Sequence, residues 1–98
     1  MQLEINQNGD VLECVFQGRL DASSCEGIGA GLIPRVEQHD GKVVFEMKDV
    51  TFIASAFLRL CTMTARAVGD ENFAIKNVSV ELKKIFKMVG FDTVMDIS

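Results

Sequence analysis

The fold of this chain is indicated most clearly by residues 42–68, KVVFEMKDVTFIASAFLRLCTMTARAV. The segment from Lys42 to Met47 predicts a strand covered on both faces, because its apolar residues are consecutive rather than alternating. The segment from Ser55 to Val68 predicts a helix, since Phe57, Cys61, Thr64 and Val68 recur at helical spacing. A buried strand followed by an amphipathic helix is the repeating unit of α/β proteins.

The same alternation extends towards both termini. Upstream, Asn8-Gly9 separates two short strands and predicts a hairpin, because both residues tolerate positive φ. A helix should follow, capped by Asp21 or Ser23, and Pro34 is the position at which a kink would occur. Its expected buried stripe consists of Cys25, Ile28, Leu32 and Val36.

Downstream, the sequence predicts a strand, a helix and a final strand. The strand is expected from Phe73 to Lys76, and the final strand from Thr93 to Ile97. The helix between them is expected to begin after the capping residue Ser79. The order β-β-α-β-α-β-α-β predicts one α/β domain over residues 1–98. We expect a mostly parallel sheet of four or five strands, with three helices mainly on one face.

Composition excludes several classes of function. The 98 residues carry a net charge of −4, so the basic footprint typical of nucleic-acid binding is missing. No apolar run approaches the ~20 residues that span a bilayer, and the N-terminal residues resemble no export signal. Three widely spaced cysteines do not predict a disulfide framework. We therefore expect a cytoplasmic protein that binds neither membrane nor nucleic acid.

The sequence nominates no catalytic set, metal site or cofactor. His39 lies in a polar turn, and no C-x-x-C motif accompanies it. The acidic residues are scattered, with no spacing that indicates a general acid and base pair. We expect a protein that is not an enzyme, with a small enzyme or nucleotide-binding protein as the alternative from another class.

Residues 48–59, KDVTFIASAFLR, resemble the STAS domain family, the bacterial anti-sigma-factor antagonists. In that family a strand leads into a segment such as D-S-S-G-L or the variant I-S-S-A-G-L-R, at the start of the second helix. Residues 18–21, GRLD, resemble its G-x-L-D motif, residues 77–79, NVS, its N-P-S motif, and residues 86–91, FKMVGF, its closing L-x-x-x-G-L. The resemblance covers nearly the whole chain. Ala54, Phe57 and Val78 depart from the family's acid, glycine and proline.

The resemblance implies a protein-interaction module switched by phosphorylation of Ser55, which matches the serine that the family phosphorylates. The partner would be an anti-sigma factor or a related serine kinase, with a PP2C-type phosphatase possible as a further partner. The residues expected to contact it are Asp21, Ala54, Ala56, Phe57, Leu58, Arg59 and Thr62.

Two alternatives stay open at this point. From position alone, an ordinary helix N-cap is the better explanation of Ser55, and only the resemblance brings phosphorylation level with it. Asp21 is likewise explained as the cap of the preceding helix. The wheel places Phe57 with the core residues, although in the first helical turn a large ring could also lie at the surface. If the switch is absent, the same fold would be a constitutive scaffold or assembly module in a signalling complex.

Overall fold

A computed structural model describes residues 2–98 as one sheet with three helices. The strands are β1 (Leu3–Asn8), β2 (Val11–Leu20), β3 (Lys42–Ile53), β4 (Phe73–Lys76) and β5 (Asp96–Ile97). The helices are α1 (Ala22–Gln38), α2 (Ser55–Val68) and α3 (Val80–Met88). Two 3-10 turns, Asp70–Asn72 and Phe91–Thr93, precede β4 and β5.

The five strands lie in the sheet in the order in which they occur along the chain. β1 and β2 form an antiparallel hairpin, and β2, β3, β4 and β5 are parallel to one another. Each helix therefore connects two neighbouring parallel strands. Since such crossovers are right-handed, all three helices lie on one face of the sheet. The predicted α/β class and element order are confirmed.

The core lies between the sheet and its helices. Alternate residues of the central strands are fully buried on this face, among them Cys14, Phe16, Val43 and Phe45. On the opposite face Val44 is only half-buried. The prediction that both faces of β3 are covered was wrong, because the three crossovers put every helix of residues 2–98 on the same side.

Helix α1 tolerates its glycines and its proline. The Asp21 carboxylate accepts a hydrogen bond from the Ser24 N–H at 2.8 Å and caps the helix, which continues past Pro34 to Gln38. Gly29 lies where α1 crosses α2. A Cβ atom there would approach Leu60 Cδ2 to 3.1 Å, so the glycine permits close packing of the two helices.

The strand ends differ from the sequence-based expectation. β2 and β3 run on to Leu20 and Ile53, past a register shift at Gly18, whose φ of +80° glycine adopts without strain. The final strand is Asp96–Ile97 alone, because a 3-10 turn occupies Phe91–Thr93 at the predicted start. The long ends of β2 and β3 position the site described next.

Candidate functional site

Two helices begin side by side at the carboxyl ends of β2 and β3. Leu20 pairs with Ile53 at the end of the ladder, and the Ala54 N–H donates a 2.9 Å hydrogen bond to the Leu20 carbonyl. Asp21 and Ser55 follow directly, at the starts of α1 and α2. In open α/β sheets, ligands bind at the carboxyl ends of the strands. We call the exposed or half-exposed residues Arg19, Asp21, Phe52, Ser55 and Arg59 the Ser55 surface.

Ser55 is exposed and is the first residue of α2. The N-cap position belongs to Ala54, so the interpretation of Ser55 as an ordinary N-cap is wrong. Ala54 supplies no side-chain cap, and the first N–H groups of a helix have no acceptor within it. Within residues 2–98, the Ser55 hydroxyl makes no hydrogen bond. The hydroxyl is therefore accessible at an uncapped, electropositive helix end.

Asp21 is the charged neighbour on the adjoining helix start. Its hydrogen bonds with Ser24 lower the pKa of its carboxyl group below the ordinary value of 3.8, and the Arg19 guanidinium adds to this effect. The carboxylate therefore stays ionised at neutral pH. Its capping role, one of the two interpretations open from the sequence, is confirmed.

An aromatic residue and an arginine form a second feature of the Ser55 surface. The Arg19 guanidinium lies 4.3 Å from the centre of the Phe52 ring, and these residues pair across β2 and β3. Phe52 keeps 36% of its surface exposed. Neither residue is predicted as part of the site from the sequence, because Lys48-Asp49 resembles the end of a strand and hides the continuation of β3 to Ile53.

The remaining candidates on α2 differ in accessibility. Arg59 is exposed one turn beyond Ser55, whereas Ala54, Ala56, Leu58 and Thr62 are half-buried. The Thr62 hydroxyl donates to the Leu58 carbonyl at 3.2 Å, so it is engaged within the helix. Arg59 is thus the α2 side chain best placed to meet a partner or a phosphate near Ser55.

Phe57 does not belong to this surface. Its side chain is fully buried, and its ring centre lies 5.1 Å from that of Phe16 and 5.9 Å from that of Phe45. The prediction that Phe57 contacts a partner is corrected: the third position of α2 faces the sheet, and the ring fills the core there. The other interpretation, core packing, is the one that the structure confirms.

The cysteine and histidine side chains are held within the fold. Cys14 and Cys61 are buried, and burial raises the pKa of the Cys14 thiol to about 12. His39 Nε2 lies 2.9 Å from the Asp10 carbonyl and 3.0 Å from that of Lys42, where it joins two loops. Residues 2–98 contain no group of three or more His, Cys, Asp or Glu side chains suited to a metal ion. No helix among them is long and apolar enough to cross a bilayer.

The sequence profile of the STAS domain matches residues 2–98. No curated protein sequence matches the chain closely enough to count as a relative.

Solved structures with this fold include anti-sigma-factor antagonists. A STAS domain protein from Planctomyces limnophilus, described as an anti-sigma-factor antagonist, superimposes with a TM-score of 0.86 at 19% identity, over 98% of this chain and 87% of that one. The anti-sigma factor antagonist SpoIIAA in its unphosphorylated form gives 0.81 at 17% identity, over 98% and 87%. The phosphorylated form of Bacillus SpoIIAA, described as a cell fate determinant, gives 0.75 at 17% identity, over 98% and 90%. From the profile match and the shared fold, the chain belongs to the STAS domain family.

Proposed function

We propose that this chain binds an anti-sigma factor or a related serine kinase in the cytoplasm, and that phosphorylation of Ser55 releases the partner. In the unphosphorylated state the Ser55 surface would hold the partner and thereby free a sigma factor. A PP2C-type phosphatase would restore the binding state. The observation that carries the proposal is the exposed Ser55 hydroxyl at the uncapped start of α2.

The helix end suits a phosphate without any change of fold. A phosphate on Ser55 would bring about −1.5 to −2 charges to N–H groups that have no acceptor within α2. Arg59, one turn further along, adds a positive side chain near the same place. The modification would therefore be tolerated by the domain itself, and its effect would fall on whatever is docked there.

The chemistry around Ser55 also suits a protein partner. Phe52 offers an exposed aromatic face, and Arg19 and Arg59 are exposed arginines; aromatic residues and arginine are enriched at interface hot spots. Asp21 contributes an ionised carboxylate. A new dianion in the middle of this patch would meet any acidic group of the partner and would have to be desolvated on binding.

The family relationship supports the same proposal. SpoIIAA, which shares the fold, is known in both an unphosphorylated and a phosphorylated form and is named as an anti-sigma factor antagonist. Its sequence identity to this chain is 17%, so the proposal depends on the Ser55 geometry described above.

A second candidate is a STAS scaffold that binds its partner constitutively. Ala54 favours it, because its methyl group offers no acceptor to help position a kinase or a metal-bound nucleotide beside Ser55. In that case the Ser55 surface would serve assembly within a signalling complex, and a charge at Ser55 would be only a local disturbance.

Two measurements test the proposal. Incubation with ATP and the cognate serine kinase should add one phosphate to the intact mass, and Ser55→Ala should abolish the addition. Ser55→Asp should weaken binding of that kinase at least tenfold in titration calorimetry, whereas Ser55→Ala should bind like the unmodified chain.

Gln38→Glu is the matched control for charge. It also adds one negative charge at an exposed position, but at the far end of α1. It should leave the affinity unchanged. Equal affinities for Ser55→Ala and Ser55→Asp would contradict the switch and favour the constitutive scaffold.

A further inference from the structure

The two edges of the sheet are built differently. β5, at one edge, has two residues, whereas β1, at the other, has six in unbroken register with β2. Within residues 2–98 no strand pairs with the outer side of β1. Proteins usually protect such an edge with charged side chains, above all lysine, or with proline or a bulge. β1 (LEINQN) has one charged residue, Glu4, and contains no lysine, proline or bulge.

The register shows which backbone groups of β1 are free. The Gln17 N–H donates to the Gln2 carbonyl at 3.0 Å, so the directly opposed pair Gln2–Gln17 exchanges hydrogen bonds with β2. Such pairs alternate along an antiparallel ladder, so Glu4, Asn6 and Asn8 also bond inwards. The N–H and C=O groups of the alternate residues, which are Leu3, Ile5 and Gln7, therefore point away from the sheet.

We propose that β1 pairs with β1 of a second copy, antiparallel and about a two-fold axis at Ile5, to form a continuous ten-stranded sheet. In this register Ile5 faces Ile5 of the other copy, and Leu3 faces Gln7. About six backbone hydrogen bonds would form between the outward groups. The contact is self-complementary, as a two-fold interface requires.

Side chains select this register over its neighbours. Shifting the axis to Glu4 would set two glutamates directly opposite each other, which is destabilising. Shifting it to Asn6 would move Leu3 opposite Gly9 and leave the two isoleucines unpaired with each other. With the axis at Ile5, Glu4 faces the uncharged Asn6. Ile5, which is half-buried in one copy, would meet Ile5 of the other copy on the helix face, with the half-buried Leu3 beside it facing Gln7.

The dimer would carry two Ser55 surfaces. Because the axis stands perpendicular to the sheet, the helices of both copies lie on one face and the parallel strands of the two copies run in opposite directions. The two Ser55 surfaces would then lie at opposite ends of the joined sheet. The assembly would be bivalent, and neither surface would be covered by the contact.

Sedimentation equilibrium over a range of concentrations up to about 1 mM tests the dimer, since weak specific contacts have Kd values up to that range. The unmodified chain should approach twice its 10.8 kDa mass. Ile5→Pro removes an outward N–H, which an edge strand tolerates, and the half-buried Ile5 side chain; it should remain folded and monomeric. Ala22→Pro is the matched control: it places proline at the first position of α1, where it is tolerated, and should still dimerise.

A second pair of variants tests the register and covers the case in which Ile5→Pro fails to fold. Asn6→Lys would lie between Glu13 of its own chain and Glu4 of the other copy, twice per dimer, and should tighten the dimer by up to about thirtyfold. Asn8→Lys lies on the same face of β1 but faces no acidic residue of the other copy, so it should leave the affinity of the dimer unchanged. A mass of one chain at about 1 mM, undiminished dimerisation in Ile5→Pro, or equal effects of the two lysines would overturn the proposal. None of these results depends on phosphorylation of Ser55.

Discussion

Replacing Phe57 with alanine should destabilise the domain by about 3–5 kcal/mol. The ring is fully buried and has close edge-to-face or tilted contacts with Phe16 and Phe45. The loss combines removal of a large apolar side chain, the cavity left behind and two aromatic contacts, of which each is worth about 0.5–1.5 kcal/mol beyond its area. For a domain of 98 residues, this corresponds to a fall of at least about 12 °C in Tm.

Urea unfolding followed by circular dichroism measures the change directly. Phe52→Ala is the matched control, because it removes the same side chain five residues earlier, where the ring is 36% exposed and contacts Arg19. It should lower the free energy of unfolding by no more than about 1 kcal/mol. Its main effect should be a lower affinity for the partner. If Phe57→Ala cost less than about 1 kcal/mol, or if it acted on binding alone, the placement of Phe57 in the core would be refuted.

Three further outcomes follow from single groups. Thr64 is fully buried with no hydrogen-bond partner for its hydroxyl within residues 2–98, so Thr64→Val should raise the free energy of unfolding by about 1 kcal/mol in urea titrations. Since folding lowers the pKa of Asp21, its carboxylate stabilises the fold above its ordinary pKa of 3.8, and that contribution is lost as pH falls. The Tm deficit of Asp21→Asn at pH 7 should therefore shrink below about pH 4, and a deficit independent of pH would contradict this. Burial raises the pKa of all three thiols, so Cys14, Cys25 and Cys61 should resist alkylation at pH 8 until the chain is unfolded, as mass spectrometry would show.

Strong local patterns made much of the fold predictable. The stripe Cys25, Ile28, Leu32 and Val36 is buried as expected, and α2 has the predicted bounds, because helical spacing of apolar residues reflects the face that is buried. Asn8-Gly9 indicated the hairpin through its backbone preference alone. These signals depend on residues that are close together in the sequence, so they can be recognised without knowledge of the fold.

The predictions that were wrong concern features that depend on packing between residues distant in the sequence. Val44 suggested a strand covered on both faces, but the coverage depends on the handedness of three crossovers. The sequence predicts a last strand that begins at Thr93, although β5 begins only at Asp96, where it pairs with β4. Local sequence contains no record of either constraint.

The site was predicted in part for the same reason. Ser55 and Asp21 lie in short motifs and could be found, whereas the Arg19–Phe52 contact joins residues that are distant in sequence. The helical wheel groups Phe57 with the core residues, and the structure confirms that placement. The partner contact was predicted because a large ring in the first helical turn can also lie at the surface, and the burial of this ring excludes that contact.

The central claim is that the hydroxyl at the start of α2 controls whether a partner can dock. The most direct test compares one partner's affinity for the chain before and after stoichiometric phosphorylation at Ser55, with phosphatase treatment to show reversal. We predict that phosphate weakens the affinity at least tenfold, that phosphatase restores it, and that the circular dichroism spectrum stays the same throughout. An affinity unchanged by the phosphate would contradict the claim.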